Sequence, residues 1–424
     1  MLQLLIVLSL IAALDFYGYQ AFRTALGKAR WLPWLYWGFH LLLYAGIAVL
    51  IANGRETPRW FFTSFFSFWV VCYLPKLFLA LPLLIEDVGR LARWSWRRLS
   101  TSRVAPPAGA AAEPGPDLTA QSSSGSNKIS RSKFISQLAL GIASVPFAGT
   151  LYGVTLGKYD YRLRRVKIPI ANLPQAFEGF TITHISDIHT GSFDDKRAVW
   201  RGIEMVNEQN SDLIFFTGDL INTYIDEVKG YEDIFSSLTA PQGVFSVLGN
   251  HDYGNYAQWP DERAKADHFK KVIDTHGQFG WNLLMNEHQL IQRDGHRLAI
   301  IGVENWGKSR HFPKKGDLAK ALDGARDAEV KLLLSHDPSH WDAQVRPEYN
   351  DIDVTFSGHT HGFQFGVEIP GVKWSPAQYM YEEWAGLYQK ENQYLYVNRG
   401  FGFLGFAGRV GIWPEVTVIE LTRA

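Results

Sequence analysis

Five times after residue 180, a short apolar run stops at residues able to hold a metal ion. Thr181–Ile185 leads into Ser186, Asp187, Ile188 and His189, and Leu213–Phe216 into Thr217, Gly218 and Asp219. Residues 244–248 lead into Gly249, Asn250, His251 and Asp252. Val330–Leu334 leads into Ser335, His336 and Asp337, and residues 353–356 into Ser357, Gly358, His359, Thr360 and His361. A strand with a ligand at its carboxyl end, repeated in this way, is how αβ sheets gather a site in the loops along one edge. Residues 195–210 and 261–276 lie between, with apolar side chains at helical spacing such as Val199, Ile203 and Val206, so the chain from about Tyr159 onward reads as α/β. Gly218, Gly249 and Gly358 are expected to supply sharp turns where a side chain must reach the ion. A lone Asp at a strand end usually caps a helix, and a lone His is usually solvated or packed. That plainer reading is kept for His184, His268, His276, His288, His296, His311 and His340, although His184 shares a strand face with Ser186 and so could support the ligands.

Together the five blocks, D-x-H, G-D, G-N-H-D, H and G-H-x-H, resemble the signature of the calcineurin-like metallophosphoesterases. The resemblance covers roughly residues 160–424 and implies a four-layer αββα sandwich around a dinuclear metal site. It implies that Asp187, His189 and His361 bind one ion, that Asp219 bridges both, and that Asn250, His336 and His359 complete the second. Nitrogen and oxygen ligands without thiolate suit two divalent ions of Mn, Fe, Zn or Co. A hydroxide bridging them would attack phosphorus, and His251, oriented by Asp252, would protonate the leaving oxygen. The positive charge left after two aspartates and a hydroxide favours an anionic ester. Covalent catalysis finds no support, since there is no G-x-S-x-G and no catalytic-cysteine context.

A second stretch, Asn398, Arg399, Gly400, Phe401 and Gly402, then Arg409, Val410 and Gly411 before Pro414, Glu415 and Val416, is similar to the C-terminal region of a membrane-associated bacterial branch. Gly362, Phe363 and Gln364 depart from that branch's usual double glycine. The branch is linked to UDP-2,3-diacylglucosamine pyrophosphatase in lipid A synthesis. The implied substrate is therefore a phosphorylated small molecule or lipid, cleaved as an ester or a pyrophosphate. Phe401, Phe403, Leu404, Phe406 and Trp413 are laced with glycine, which favours a loop. Such a loop either folds back into the core or touches a bilayer or acyl chain and feeds a lipid phosphate to the metals, with Arg399 or Arg409 holding the anion. The alternative of an inactive scaffold would be favoured by a lost ligand, and none is lost. A polytopic transporter would need more spans and a repeated discontinuous pair.

The first hundred residues have another character. Residues 1–22, 31–53 and 60–85 are apolar over about the ~20 residues that cross a bilayer, and Trp31, Trp34 and Trp60 suit its interface. The first carries Asp15 but lacks a basic start and a small-residue cleavage site, so no cleaved signal is read. Buried core helices would be the alternative, which two such runs so close together disfavour. Lys76 needs a partner or a snorkelling path, and the neighbouring Pro75 predicts a kink. Residues 1–99 are thus read as about three spans, 100–133 as a flexible linker rich in Ala, Pro, Gly and Ser, and 134–157 as a fourth span. The lead-in from Ser130 to Ile135 resembles a twin-arginine export signal without its second arginine. The catalytic domain takes residues 158–424.

Arg90, Arg93, Arg97, Arg98 and Arg103 place their flank in the cytoplasm, which puts the catalytic domain outside it, at a bacterial inner membrane. Lys158, Arg162, Arg164, Arg165 and Lys167 oppose that orientation and are assigned instead to the solvated face of a first strand. Lys and Arg total 42 against 42 Asp and Glu, so no basic field argues for nucleic acid. Cys72 is the one cysteine and excludes an intrachain disulfide.

Overall fold

The computed structural model describes residues 2–27, 29–54, 57–101 and 129–424. The chain divides into two compact units, Met1–Leu151 and Tyr152–Ala424. Of the segment 100–133 expected as a linker, residues 102–128 lie outside the described residues, while Ser100 and Thr101 end one helix and residues 131–133 open the next.

Four apolar helices dominate the first unit: α1 (Leu2–Leu26), α2 (Leu32–Asn53), α3 (Arg59–Thr101) and α4 (Arg131–Thr155). All four are long and apolar enough to cross a membrane. Their large side chains point outward, with Trp34 83%, Leu42 72% and Val145 73% exposed, while Asp15 and His40 are buried. A soluble helical core has the opposite arrangement, so the alternative of core helices does not hold. Asp15 accepts hydrogen bonds from Lys76 Nζ at 2.5 Å, from the Tyr73 hydroxyl at 3.0 Å and from the Tyr44 hydroxyl. The partner that Lys76 needed is thus the other charge stranded in the apolar spans. Helix α3 continues through Pro75 and Pro82 and well past residue 85, taking in Arg90, Arg93, Arg97 and Arg98.

The second unit holds the strands. They are β1 (Arg162–Ile170), β2 (Thr181–Ile185), β3 (Leu213–Phe216), β4 (Val244–Ser246), β5 (Trp281–Leu283), β6 (Glu287–Arg293) and β7 (His296–Gly302). There follow β8 (Val330–Leu334), β9 (Val354–Ser357), β10 (Val367–Ile369), β11 (Val372–Trp374), β12 (Gly386–Lys390), β13 (Gln393–Val397) and β14 (Glu415–Arg423). One six-stranded sheet runs β1-β14-β2-β3-β4-β5 and the other β12-β13-β9-β8-β7-β6, with β10 and β11 as a separate hairpin.

Alternation along the strands builds the layers. On β3, Leu213 and Phe215 pack with Val330, Leu332 and Phe356 of the second sheet, forming the core between sheets. Ile214 and Phe216 turn the other way, onto α5 (Lys196–Asn207), α6 (Glu232–Phe235) and α7 (Glu262–Gln278), through Val199, Phe235 and Val272. On the far side Leu333 and Val397 meet Leu318, Ala321 and Trp341. The result is the expected αββα sandwich. Its five ligand-bearing runs are split, β2, β3 and β4 in one sheet and β8 and β9 in the other. Asp195 and Asp261 cap α5 and α7 by accepting from backbone N–H groups one turn on, which fixes where those helices begin.

The basic run on β1 is less uniform than expected. Arg164 shares a face with Ile168 and lies 2.7 Å from Glu368 and 3.3 Å from Glu415, so it is tied into the fold instead of facing solvent.

Candidate metal centre

Four of the five blocks follow their strands directly, the block from Gly249 to Asp252 begins after two further residues beyond β4, and the loops converge. His361 Nε2 lies 3.1 Å from Asp187 Oδ1 and 3.0 Å from His189 Nε2, and His189 Nε2 is 3.5 Å from Asp219 Oδ2. The same Asp219 Oδ2 is 3.3 Å from His336 Nε2. That ring nitrogen is in turn 3.2 Å from Asn250 Oδ1 and 3.2 Å from His359 Nδ1. Two clusters of candidate ligands therefore share one carboxylate: Asp187, His189 and His361 on one side, and His336, His359 and Asn250 on the other.

Holding these side chains in place strains the backbone. Asp187, His189, Asp219, His359 and His361 all have positive φ, between 50° and 71°, in the left-handed region that side chains disfavour. The glycines do not all serve the turns expected of them. Gly218 has φ +96°, but Gly249 has φ −97°. A Cβ on Gly249 would stand 2.1 Å from Asp219 Oδ1, and one on Gly358 2.1 Å from Asp187 Oδ2. Those two glycines make room for the ligand carboxylates.

The donor set fits cations. Burial opposes charge on Asp187, yet His361 holds its carboxyl well below the usual range, and His336 and His251 do the same for Asp219. Burial keeps His189 and His359 neutral, as ligation requires. At His336 burial is outweighed by Asp219 and Asp187, which lift its pKa to about 10. The cluster draws positive charge toward its centre. His336 Nδ1 donates to the Thr217 carbonyl at 2.7 Å, orienting the ring with Nε2 inward.

Comparison with known proteins agrees with the geometry. Residues 180–363 match the family described as calcineurin-like phosphoesterase, and residues 2–158 match the probable calcineurin-like phosphoesterase transmembrane domain. The chain belongs to the calcineurin-like phosphoesterases. One relative is a transmembrane protein with metallophosphoesterase domain from Danio rerio, 27% identical over 65% of this chain and 60% of its own length. An uncharacterized metallophosphoesterase of Bacillus subtilis is 28% identical over 69% of this chain and 98% of its own. A third, named UDP-2,3-diacylglucosamine pyrophosphatase, from Chlamydia muridarum, is 27% identical over 54% of this chain and 81% of its own.

Beside the ligands of this phosphoesterase opens a cleft of about 220 Å³ lined by His251, Phe312, Phe363, Met380, Tyr381 and Leu404, among others. His251 Nδ1 donates to the Asn222 carbonyl at 2.7 Å. Asp252 does not orient that ring, contrary to expectation. Its carboxylate accepts from the backbone N–H groups of Gly249, Asp219 and Leu220, at 2.8, 2.9 and 3.0 Å, and so locks two ligand loops together.

Arg399 also departs from its expected role. It is buried, with Nη1 2.5 Å from Glu415 and Nη2 2.7 Å from Glu368, so its charge is already matched. Arg409 is buried too and donates through Nε to the Gly402 carbonyl at 2.8 Å, while Nη2 lies 3.3 Å from His361 Nδ1. Neither guanidinium lines the cleft. Phe401 and Phe403 are buried, and Phe401 belongs to the core beneath α5, so that part of the glycine-rich loop folds inward. Leu404 alone of the cluster reaches the cleft. His184 is buried on β2 with Nε2 2.8 Å from the Thr217 hydroxyl, one residue before Gly218.

Three contributors carried no sequence pattern. The Tyr381 hydroxyl is 2.8 Å from His359 Nε2, the Tyr256 hydroxyl accepts from Asn250 Nδ2 at 2.9 Å, and Asn222 offers a main-chain oxygen. Nothing but tertiary structure brings them in.

Proposed function

We propose that the protein is a membrane-anchored, dinuclear metal-dependent phosphoesterase acting on a phosphate ester or pyrophosphate. The observation that carries this reading is the convergence of six side chains around Asp219, in two clusters that share its Oδ2. Asp187, His189, His361 and Asp219 would hold one ion; Asp219, Asn250, His336 and His359 the other. Two divalent ions supply electrophilic charge for a phosphoryl group and an acidified water as nucleophile.

The chain's own residues do the rest. His251 lines the cleft with Nδ1 committed to Asn222, which leaves Nε2 to deliver a proton to the leaving oxygen. Asp252 fixes the loops of Asp219 and Asn250 relative to each other. Phe312, Phe363, Met380 and Leu404 make an apolar wall that limits water and accepts a nonpolar substituent of the ester. That wall, the membrane helices and a relative named as a diacylglucosamine pyrophosphatase support a lipid-linked substrate. The arginine-rich flank supports an extracytoplasmic catalytic domain at a bacterial cell membrane.

The test is metal analysis of the purified full chain together with release of phosphate or UMP from a substrate panel. About two metals per chain and hydrolysis abolished by chelation are expected. A chain that binds no metal and hydrolyses no ester would leave the fold as a scaffold.

A further inference from the structure

The hairpin β10–β11 is inside out. Register pairs Val367 with Trp374, Glu368 with Lys373 and Ile369 with Val372, so four apolar side chains share one face and the two charged ones the other. In an ordinary surface hairpin the charged face meets water. Here Glu368 turns inward, 2.7 Å from both Arg164 and Arg399, while Lys373, though exposed, ties its Nζ back to the Ala385 carbonyl, 4.7 Å from the Trp384 ring. The apolar face is left outward, with Ile369 59% exposed. The chain then continues through Tyr379 and Met380, 76% and 70% exposed, before Tyr381 reaches His359. Phe363, on the other side of the hairpin in sequence, is exposed as well, and both Phe363 and Met380 line the metal cleft.

A second element at the same cleft has the complementary character. Between Glu304 and Asp317 the chain carries no acid but has Lys308, Arg310, Lys314 and Lys315, all exposed. It sets Phe312 against the His359 ring at 4.9 Å, inside the cleft. The loop that sends Phe312 into the cleft is therefore basic in sequence, while Phe363, Met380 and Leu404 give the cleft an apolar lining. Among its described residues the same chain carries four membrane-length helices.

We infer that the β10–β11 hairpin, with Tyr379 and Met380, docks into the surface of an anionic lipid bilayer while the 308–315 loop meets its headgroups. The apolar face has the size and aromatic content of an interfacial anchor, and basic residues beside it add attraction to anionic lipid. The ion pairs of Glu368 fix the hairpin so that its apolar face cannot turn inward. Docking there would open the metal cleft directly onto the lipid surface. The inference deepens the phosphoesterase reading, on which its meaning for substrate entry rests.

The full chain with Cys72→Ser and either Ile369→Cys or Gln292→Cys, labelled with an environment-sensitive fluorophore, tests this in nanodiscs of phosphatidylcholine with or without phosphatidylglycerol. With doxyl-labelled lipid present, the probe at 369 should be quenched at least about twofold more than the probe at 292, and more so with phosphatidylglycerol. Lys308→Glu with Arg310→Glu should remove the phosphatidylglycerol increment. Equal quenching at both positions overturns the inference. So does shielding of the 369 probe without lipid quenching, which would mean a second copy or another protein covers the face. Hydrolysis of a soluble aryl phosphate by the same samples reports the catalytic reading separately: turnover without quenching sinks the docking alone, and quenching without turnover sinks the phosphoesterase alone.

Discussion

Lys76 Nζ on α3 stands 2.5 Å from Asp15 Oδ1 on α1, inside a bundle whose outer surface is apolar. His40 from α2 adds its Nε2 at 3.2 Å from the same oxygen, so three helices meet at one carboxylate. Breaking a buried pair strands one charge, whereas replacing both partners does not. Asp15→Asn alone should destabilise the helical unit by roughly 3–5 kcal/mol. The double variant Asp15→Asn with Lys76→Met should recover most of that. Thermal unfolding in detergent reads both, and a double variant no better than the single one would show that the pair is not what ties the helices.

At the metal centre, Asp219→Asn and His251→Ala should differ in kind. Asp219 stands in both clusters, so its loss should empty the site. His251→Ala should keep its metals and lose turnover by about 10²–10⁴-fold, as expected for a missing proton donor. Metal analysis beside kcat separates the two, and an empty His251→Ala site would reassign that ring as a ligand.

Phe403 is buried and its ring lies 5.8 Å from Tyr159 and 5.9 Å from Phe193. Phe403→Ser should therefore lower stability by roughly 3–5 kcal/mol. Activity on soluble and lipid-linked esters should fall together, in contrast to changes at the exposed Met380. Selective loss on the lipid ester would place Phe403 at the substrate after all.

Burial pulls the pKa of His276 down to about 3 and that of His340 to about 4, from an ordinary 6.5. Below the unfolded value the unfolded chain takes up protons that the folded rings refuse. Stability of the catalytic unit should thus fall as pH drops from about 6.5 toward 4, by up to about 1.4 kcal/mol per pH unit for each ring. His276→Gln, which can keep a hydrogen bond to Ser246, should flatten the slope by about one proton. Denaturant midpoints between about pH 7 and pH 5 give the slope, and an unchanged slope would mean His276 is protonated in the fold.

The convergence of the proposed ligands was legible because each sits within a few residues of the strand that aims it, so local sequence encodes most of their geometry. The same holds for α5 and α7, whose Asp195 and Asp261 caps and apolar spacing are local signals. Asp252 and Arg399 were misread for related reasons. Asp252 adjoins His251 and Arg399 lies in a stretch similar to a family branch, but their partners, the backbone of Asp219 and the carboxylate of Glu415, come from other segments. Asp15 and Lys76 were each anomalous in an apolar span, and only the packing of α1 on α3 makes them one pair. The exposed hairpin gave no signal in advance. Three-residue strands are too short for alternation to say which face turns inward.

The left-handed backbone at Asp187, His189, Asp219, His359 and His361 sets function against durability. Each such residue costs on the order of 1–2 kcal/mol that glycine would not incur. Heat-selected variants of this domain should accumulate glycine at those positions, gaining robustness as they lose the proposed metal ligands. The sites easiest to stabilise are the ones natural selection for catalysis must keep uncomfortable.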